Sequence, residues 1–353
     1  MIRKNNLTDR GGQANHQYGG QAVIEGVMMR GPRYYAVAVR RLNGEIVVQH
    51  ENIESLLRRF QWLNKPFLRG TLALIDALVL GMKSLMFSAD IAMRDAEEAT
   101  PKKPRSGGNN CLLLMFLLPL GIFAWSSEAS PESPTDGKPN RAKSSINDIA
   151  ISATMVLGLA LGIVIFVVLP HLLVGLLQKP IGNSFLLNLA EGFTRLALFV
   201  LYVLAISLMK DIRRVFEYHG AEHKVINTFE AGQELTFENI NKYGTIHQRC
   251  GTSFILLLIV LSIFLFAFLG WHNAWYLRVG SRLLLLPVLA GLAYEGIRFA
   301  GKHRDSVLVN AILSPGLLLQ KITTRQPDDK QIEVAVKSLE AVIGLEQEQE
   351  VSA

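Results

Sequence analysis

The sequence predicts a mainly α-helical membrane protein, built as a helical membrane bundle of about four spans with a small N-terminal β unit and a cytoplasmic helical tail. Half of its 353 residues are hydrophobic. The mean hydropathy of +0.26 is too high for an ordinary soluble domain and too low for a chain made only of membrane helices. Several apolar segments are also long enough to cross a bilayer. Together these observations predict soluble segments joined to a membrane bundle.

The N-terminal part carries the expected β unit. Residues 1–18 are polar and are predicted to be a disordered N-terminus; no apolar stretch follows them, so we expect no cleavable signal peptide. Residues 19–65 contain two β-prone runs on either side of Asn43-Gly44. Both residues of this dipeptide tolerate positive φ, so the pattern predicts a hairpin.

Residues 66–96 are predicted to form one long amphipathic interfacial helix. Its charged residues include four that are spaced seven apart, namely Arg69, Asp76, Lys83 and Asp90. Heptad spacing keeps these charges on one narrow face, whereas a transmembrane span would place some of them in hydrocarbon. The pattern therefore favours a helix lying in the membrane interface or against other helices.

A linker follows at residues 97–148, and it contains the apolar insert 111–125. The insert is short for a span, which needs about 20 residues. An interfacial or re-entrant insert is therefore favoured over a crossing. A crossing would move residues 1–110 to the opposite side of the membrane.

Two transmembrane hairpins are predicted at residues 149–209 and 253–300, because their connecting segments are short. The four spans are Ile149–Leu177, Phe185–Met209, Phe254–Trp271 and Leu283–Phe299. This topology places the site loop 210–252, the tail 301–353 and the N-terminus on one side. That side carries most of the Lys and Arg residues near the spans, which predicts that it is cytoplasmic, at the bacterial inner membrane. Within the tail, the apolar spacing predicts a helix over residues 328–345.

The strongest chemical motif is His219-Gly-Ala-Glu222-His223. On a helix, His219 and His223 lie one turn apart on the same face, so both imidazoles could bind one metal ion. Glu222 lies close to that face and could act as the base that activates water. The order H-x-x-E-H occurs among metallopeptidase motifs, so the pentad indicates a metal-dependent hydrolase.

Two histidines do not complete a metal site, so further ligands are needed. The candidates are Glu230, His247 and Cys250, the last two at i,i+3 spacing. Three interpretations stay open. The site could be a catalytic metal centre with one of these as third ligand, a closed structural zinc site made by His219, His223, His247 and Cys250, or an interfacial hydrogen-bonding cluster without metal. Zinc suits a histidine-rich site best.

Two further positions attract attention. Glu191 and Arg195 form an i,i+4 pair inside a predicted span, where an ion pair is either functional or snorkels towards the far interface. Glu25 is a lone carboxylate next to a glycine in an apolar run, which makes it either a ligand or an exposed strand residue.

Composition excludes some classes of protein. The two cysteines allow at most one disulfide, so the chain is no disulfide-rich scaffold. The net charge of +6 fits the Lys and Arg residues that usually flank membrane helices on the cytoplasmic side. The sequence lacks the alternation of basic and aromatic residues that is typical of single-strand nucleic-acid binding, so we expect no nucleic-acid partner. The expected partners are the lipid bilayer and an unknown substrate, and a homo-oligomer stays open.

Three segments together resemble an uncharacterised bacterial family of multi-pass membrane proteins that are labelled as predicted metal-dependent enzymes. They are Gly20–Gly31, Tyr218–Lys224 and His247–Thr252. The resemblance covers most of residues 18–345, although the insert fits the family pattern poorly. It implies that one site contains Glu25, His219, Glu222, His223, His247 and Cys250.

The leading hypothesis is an integral membrane metal-dependent hydrolase with a peptide or amide bond as substrate and Glu222 as its base. His219 and His223 would be ligands, and Cys250, His247 or Glu230 would complete the set. One rival is a non-enzymatic membrane scaffold with a structural zinc site. Another is a transporter accessory in which Glu191 and Arg195 line a path.

Overall fold

The computed structural model describes residues 18–53, 65, 68–99, 157–158, 160–177, 181–269, 275–302 and 306–352. The apolar insert 111–125 and residues 1–17 of the predicted disordered N-terminus lie outside these ranges. The described part is mainly helical, with one small sheet near its N-terminus.

The predicted N-terminal β unit is present as a four-stranded antiparallel meander. Its strands are β1 (Gly19–Val23), β2 (Gly26–Arg30), β3 (Tyr34–Arg40) and β4 (Ile46–Asn52), in that spatial order. The turn between β3 and β4 contains Gly44 at φ 89°, as the Asn-Gly dipeptide predicted. The turn between β1 and β2 holds Glu25 at φ 52°, a left-handed conformation that a non-glycine residue rarely adopts.

The helices follow the sheet in chain order. They are α1 (Leu68–Glu98), α2 (Ala160–Gly175), α3 (Ser184–Ser207), α4 (Lys210–Glu230), α5 (Phe237–Asn241), α6 (Gly251–Ala267), α7 (Trp275–Lys302), α8 (Val307–Thr323) and α9 (Asp329–Ser352). Within α2, residues Val164–Val168 form a π-helical segment. The predicted site loop 210–252 is therefore mostly helix, because α4 and α5 occupy much of it.

Within the described residues, three helices are long and apolar enough to cross a membrane: α1, α3 and the Val279–Ala300 part of α7. The latter two match predicted spans. Helices α2 and α6, which match the other two predicted spans, are apolar but shorter. Among the described residues the protein thus has three candidate membrane-spanning helices, and the first residues of the predicted span Ile149–Leu177 lie outside the described ranges.

Helix α1 packs against both the bundle and the sheet. Near its start, Arg69 forms two hydrogen bonds of 2.6 Å to the Glu295 carboxylate of α7, which neutralises the charge of Arg69. Further along the helix, Leu80 and Ile91 pack on the sheet. The helix therefore lies against another helix, as one of the two alternatives stated, and also joins the sheet to the bundle.

The sheet is covered on both faces. On one face, α1 packs against a cluster of alternate side chains made up of Val23, Met28, Tyr35, Val37 and Val39. On the other, α4 and α9 pack against Val27, Met29, Ala36 and Ala38. The tail helix expected at residues 328–345 is confirmed as α9, which extends further, to Ser352. The apolar side of α9 is buried against the sheet. This packing fixes α4, which carries the His pentad, beside β1.

Candidate metal centre

Helix α4 presents the two histidines of the pentad side by side. His219 and His223 are one turn apart, and their ring centroids lie 4.4 Å from each other. The helix is buried on several sides because it packs on β1, β2 and α9. His223 is 1% exposed and Glu222 is 4% exposed, so both lie in the interior of the fold.

The Nδ1 atom of each histidine forms a hydrogen bond to a backbone carbonyl. His219 Nδ1 lies 2.8 Å from the Thr323 carbonyl oxygen, and His223 Nδ1 lies 2.6 Å from that of Thr245. A carbonyl oxygen only accepts, so both Nδ1 atoms carry the hydrogen and donate. In the neutral rings, the lone pairs are therefore on Nε2, which is the arrangement that orients histidines as metal ligands.

Cys250 brings the third donor to the same place. Its Sγ atom lies 3.2 Å from His219 Nε2 and 3.1 Å from Thr252 Oγ1. The residue is buried and precedes the first turn of α6, where the helix dipole favours a thiolate.

Electrostatics couple this cysteine to His219. Burial by itself raises the pKa of the Cys250 thiol, but the charge and hydrogen bonds of His219 and His223 hold that pKa well below its usual value. Burial likewise lowers the pKa of His219, but Cys250, together with Glu222 and the Thr323 carbonyl, more than offsets this effect and raises the pKa to about 9. Both shifts favour an imidazolium facing a thiolate when no metal is bound.

The three side chains fit a divalent metal. Their ligand atoms all lie within 4.8 Å of one another. Zinc bonds of about 2.0–2.1 Å to nitrogen and about 2.3 Å to sulfur place tetrahedral ligands about 3.3–3.6 Å apart, so no pair of donors has to approach by more than about 1.5 Å. Two imidazoles and a thiolate suit zinc well, and three protein ligands leave the fourth position open.

Glu222 lies next to this donor set. Its Oε2 atom is 3.4 Å from His223 Nε2, on the side that faces β1. A Cβ atom placed on Gly20 would lie 2.7 Å from Glu222 Cγ, so the backbone of β1 packs directly against the carboxylate side chain. The carboxylate is thus positioned by the strand within reach of any group bound at the histidines.

A cleft of about 280 Å³, which includes its open mouth, gives access to these groups. It is lined by Tyr18, Gly19, Gly20, Glu222, His223, His247, Arg249, Cys250 and Gly251. One wall is β1 and the others are α4 and the segment that leads into α6. The candidate centre is therefore open to a ligand on the side of β1.

His247 and Glu230, two other predicted ligands, form a neighbouring arrangement. The His223 and His247 ring centroids are 5.6 Å apart, and His247 Nε2 lies 3.6 Å from Glu230 Oε2. Glu230 is also paired with Arg249. Among the described residues, neither belongs to the group whose donors lie within 4.8 Å of one another. The structure thus assembles three of the predicted metal ligands and leaves these two beside them.

Among the described residues, Glu25 is not one of the donors that lie within 4.8 Å of one another. Its carboxylate forms an ion pair with Arg214 on the first half of α4, including a 2.6 Å hydrogen bond from Nη2, and accepts a 3.3 Å hydrogen bond from the Tyr218 hydroxyl. Both contacts hold the Glu25 carboxylate against the first half of α4. They also help to hold the left-handed turn between β1 and β2.

Glu191 and Arg195 lie in the bundle on α3, and they belong to a larger charged cluster. The Glu191 carboxylate is 1% exposed. It accepts a 3.0 Å hydrogen bond from Arg195 Nη2 and two hydrogen bonds from Arg282 of α7, one of them 2.9 Å long. Sequence reasoning identified the i,i+4 pair but missed Arg282, which comes from a distant segment.

Sequence reasoning also missed the residues that position the ligand-bearing segment. Gln320 of α8 is fully buried; its side chain accepts a hydrogen bond of 2.9 Å from the His247 N–H and donates one of 2.8 Å to the His247 carbonyl. It also donates to Ser253 Oγ at 2.7 Å. The available signal was an amide directly after the apolar run Leu317–Leu319. By contrast, nothing in the sequence marks the carbonyls of Thr245 and Thr323.

Comparison with known proteins shows the family. The model of the family described as a protein of unknown function (DUF1385) matches residues 65–345, so this chain belongs to that family. It is 32% identical over 336 residues to the Uncharacterized protein YqhQ of Bacillus subtilis (strain 168), which covers 93% of each chain. No solved structure matches the chain significantly. Neither description mentions a metal or an activity, so the metal-dependent label implied by the resemblance gains no support from them.

Proposed function

We propose that this member of the DUF1385 family is an integral membrane metal-dependent hydrolase of peptide or amide bonds. The observation that carries the proposal is the convergence of His219 Nε2, His223 Nε2 and Cys250 Sγ beside Glu222 at the wall of an open cleft. A closed structural site would use a fourth protein ligand. The described residues contribute three, and the carboxylate stands next to them.

His219, His223 and Cys250 would hold the metal, and zinc is the ion that this donor set favours. A bound divalent metal supplies Lewis-acid activation of water or of a substrate carbonyl. The chain contributes the orientation of the ligands, because the Thr323 and Thr245 carbonyls fix both rings.

Glu222 would be the general base. It removes a proton from the attacking water while the water oxygen bonds to the carbonyl carbon, and it returns that proton to the nitrogen as the C–N bond breaks. The products are one carboxylic acid and one amine, so atoms balance without another reactant. The free N–H groups at the start of α6, which begins at Gly251 in the cleft wall, can stabilise negative charge developing on the carbonyl oxygen.

The site would lie at the cytoplasmic face of a bacterial inner membrane, with both termini on the same side. Three helices long and apolar enough to span support a membrane location. The Lys and Arg residues concentrated around α4 and after α7 support the orientation, since cytoplasmic flanks are enriched in these residues. Cys250 at the start of apolar α6 would place the centre close to the bilayer surface.

The metal content of detergent-purified protein tests the proposal directly. We expect about one metal ion per chain in the wild type and close to none in the His219→Ala/His223→Ala variant, because two of three ligands are removed. Elemental mass spectrometry of protein purified without chelator measures this. A wild type without metal would overturn the metal centre.

The Glu222→Gln variant tests the catalytic step separately. We expect it to keep the metal and to lose about 10²–10⁴-fold in hydrolysis of a peptide library, because the amide cannot take the proton. Full activity with full metal content would exclude Glu222 as the base. Metal without any hydrolysis in the wild type would instead support the scaffold with a structural site.

A second candidate function rests on the 3.2 Å contact between Cys250 Sγ and His219 Nε2. A cysteine at a helix N-terminus beside an imidazolium is an activated nucleophile, so the same cleft could cleave amides through an acyl-enzyme. Chelator and iodoacetamide distinguish the two functions. Hydrolysis that resists chelation and is abolished by alkylation of metal-free protein would favour the thiol mechanism.

A further inference from the structure

The register of the sheet determines which backbone groups of β1 are unpaired. Gly31 N–H donates to the Tyr34 carbonyl, and Arg40 N–H donates to the Glu25 carbonyl. The odd-numbered residues of β2 therefore form the backbone hydrogen bonds to β3. The even-numbered residues of β2 form those to β1. Their partners in β1 are Gly19, Gln21 and Val23.

The alternate residues of β1 face the other way. Gly20 and Ala22 direct their N–H and C=O groups away from β2, towards the edge of the sheet. Within the described ranges β1 is an edge strand, and Gly20 is exposed. This unpaired edge borders the cleft that contains Glu222, His223 and Cys250. An extended chain laid along it would pass the candidate centre.

We propose that β1 binds an extended polypeptide substrate as an additional strand and presents one of its amide bonds to the centre. The inference rests on the proposed function and names its substrate class. Main-chain hydrogen bonds to Gly20 and Ala22 give the binding, as in other cases where a peptide extends a sheet. The added strand lies about 4.8 Å outside β1, which is the spacing between neighbouring strands.

The paired glycines at the start of β1 suit this role. Gly19 and Gly20 both line the cleft, so two consecutive residues leave the edge without side chains. At Gly20 a side chain would collide with Glu222, whereas the bare backbone allows both the carboxylate and a substrate strand to approach. A small-molecule hydrolase would have no need of an edge strand along its cleft.

Proline substitution at the edge tests the proposal. Ala22→Pro removes an outward N–H and blocks strand addition without removing a hydrogen bond to β2. The matched control is Val48→Pro on the opposite edge, where the register also directs the N–H outwards. The probe is a degenerate library of blocked decapeptides, with cleavage read by mass spectrometry and metal content by elemental analysis.

We expect Ala22→Pro to lose at least tenfold in cleavage rate, with metal content unchanged, and Val48→Pro to cleave like the wild type. Equal cleavage by both variants would overturn the strand-addition proposal and leave the hydrolase intact. A wild type that carries metal but cleaves no peptide would overturn the polypeptide substrate. A wild type without metal would show the failure of the proposed function instead. If Ala22→Pro changed only the oligomeric state, the edge would be a contact between copies, which also overturns the proposal.

N-methylated peptides provide a test that leaves the protein unchanged. The best-cleaved decapeptide is remade with single N-methyl groups at successive positions. Alternate positions should lose at least tenfold in cleavage, because only every second N–H of an added strand faces β1. A loss confined to the scissile bond, or one without a period of two, would contradict strand addition.

Discussion

The chain contains two buried polar clusters that differ in how their charges are satisfied. At the cleft, His219, His223 and Cys250 converge on one another, and their other contacts are two backbone carbonyls, the Thr252 hydroxyl and the Glu222 carboxylate. In the bundle, Glu191 is surrounded by the guanidinium groups of Arg195 and Arg282. The first cluster is open to a ligand, whereas the second is closed by its own ion pairs.

The difference indicates separate roles. The bundle cluster joins three helices, because Arg195 also donates a 3.0 Å hydrogen bond to the Phe166 carbonyl in the π-helical segment of α2. Such a network stabilises the packing of α2, α3 and α7. The cleft cluster joins α4 to the start of α6 and keeps its donors exposed to a cleft. Burial of polar groups alone therefore does not distinguish a binding site from a network that stabilises helix packing.

The largest expected effect is the loss of Glu191. Glu191→Gln leaves two guanidinium groups without their carboxylate, and breaking a buried ion pair in this way costs about 3–5 kcal/mol. Unfolding in detergent, followed by circular dichroism, measures the cost. The control Glu238→Gln removes an exposed i,i+4 pair with Lys242 and should cost less than about 0.5 kcal/mol. Equal costs would show that the bundle cluster is not a support.

Loss of Cys250 should affect metal binding and not stability, in contrast to the loss of Glu191. Cys250→Ser should lower metal affinity at least about 100-fold, because a hydroxyl is a poor substitute for a thiolate. The metal-free fold should change little, since the substitution keeps the size of the side chain. Competition with a chromophoric chelator measures the affinity, and Cys111→Ser provides the control with the other cysteine. Unchanged affinity would remove Cys250 from the ligand set.

A smaller effect is expected at the strand that supports Glu222. Gly20→Ala should reduce cleavage about 10-fold and keep the metal, because the new Cβ atom would lie 2.6 Å from the Met28 carbonyl oxygen and 2.7 Å from Glu222 Cγ, so both β1 and the Glu222 side chain must shift. Gly344→Ala on α9 is the control, since its Cβ atom would meet nothing within 4 Å. Cleavage of the decapeptide library and elemental analysis provide both measurements. Retained activity in Gly20→Ala would mean that the carboxylate does not depend on β1.

The smallest effect is expected at Glu25. Glu25→Gln should cost at most about 1 kcal/mol and should leave metal content unchanged, because the ion pair with Arg214 is partly exposed and Glu25 is not in the donor group. Thermal unfolding and elemental analysis test the two parts. A loss of metal would return Glu25 to the centre, as the resemblance implied.

Local patterns were sufficient for part of the fold. Asn43-Gly44 predicted the hairpin because the dipeptide itself permits positive φ, and the spacing of His219 and His223 predicted their contact because a helix repeats every 3.6 residues. Long apolar runs likewise predicted spans at α3 and α7, which are candidate membrane-spanning helices, whereas α2 and α6 are shorter apolar helices within the described residues.

Long-range partners could not be predicted. Glu25 and Arg214 are 189 residues apart, and a carboxylate in a sequence does not reveal which cation it will meet. The same applies to Arg69 and Glu295, whose pairing explains how a charge is accommodated on α1. Backbone carbonyls such as that of Thr323 carry no residue signature at all. The candidate metal donors could therefore be recognised in part from the sequence, whereas the groups that position them could not.

Helix α1 has a mechanical consequence. It is 31 residues long, or about 46 Å, and one end is tied to α7 while the other is tied to the sheet. Helix α1 therefore connects β1, one wall of the cleft, to α7, while Cys250 in the opposite wall directly precedes α6, which packs on α7. A change in the tilt between α6 and α7 would alter the width of the cleft. Lateral pressure in a bilayer could in this way act as a lever on access to the centre.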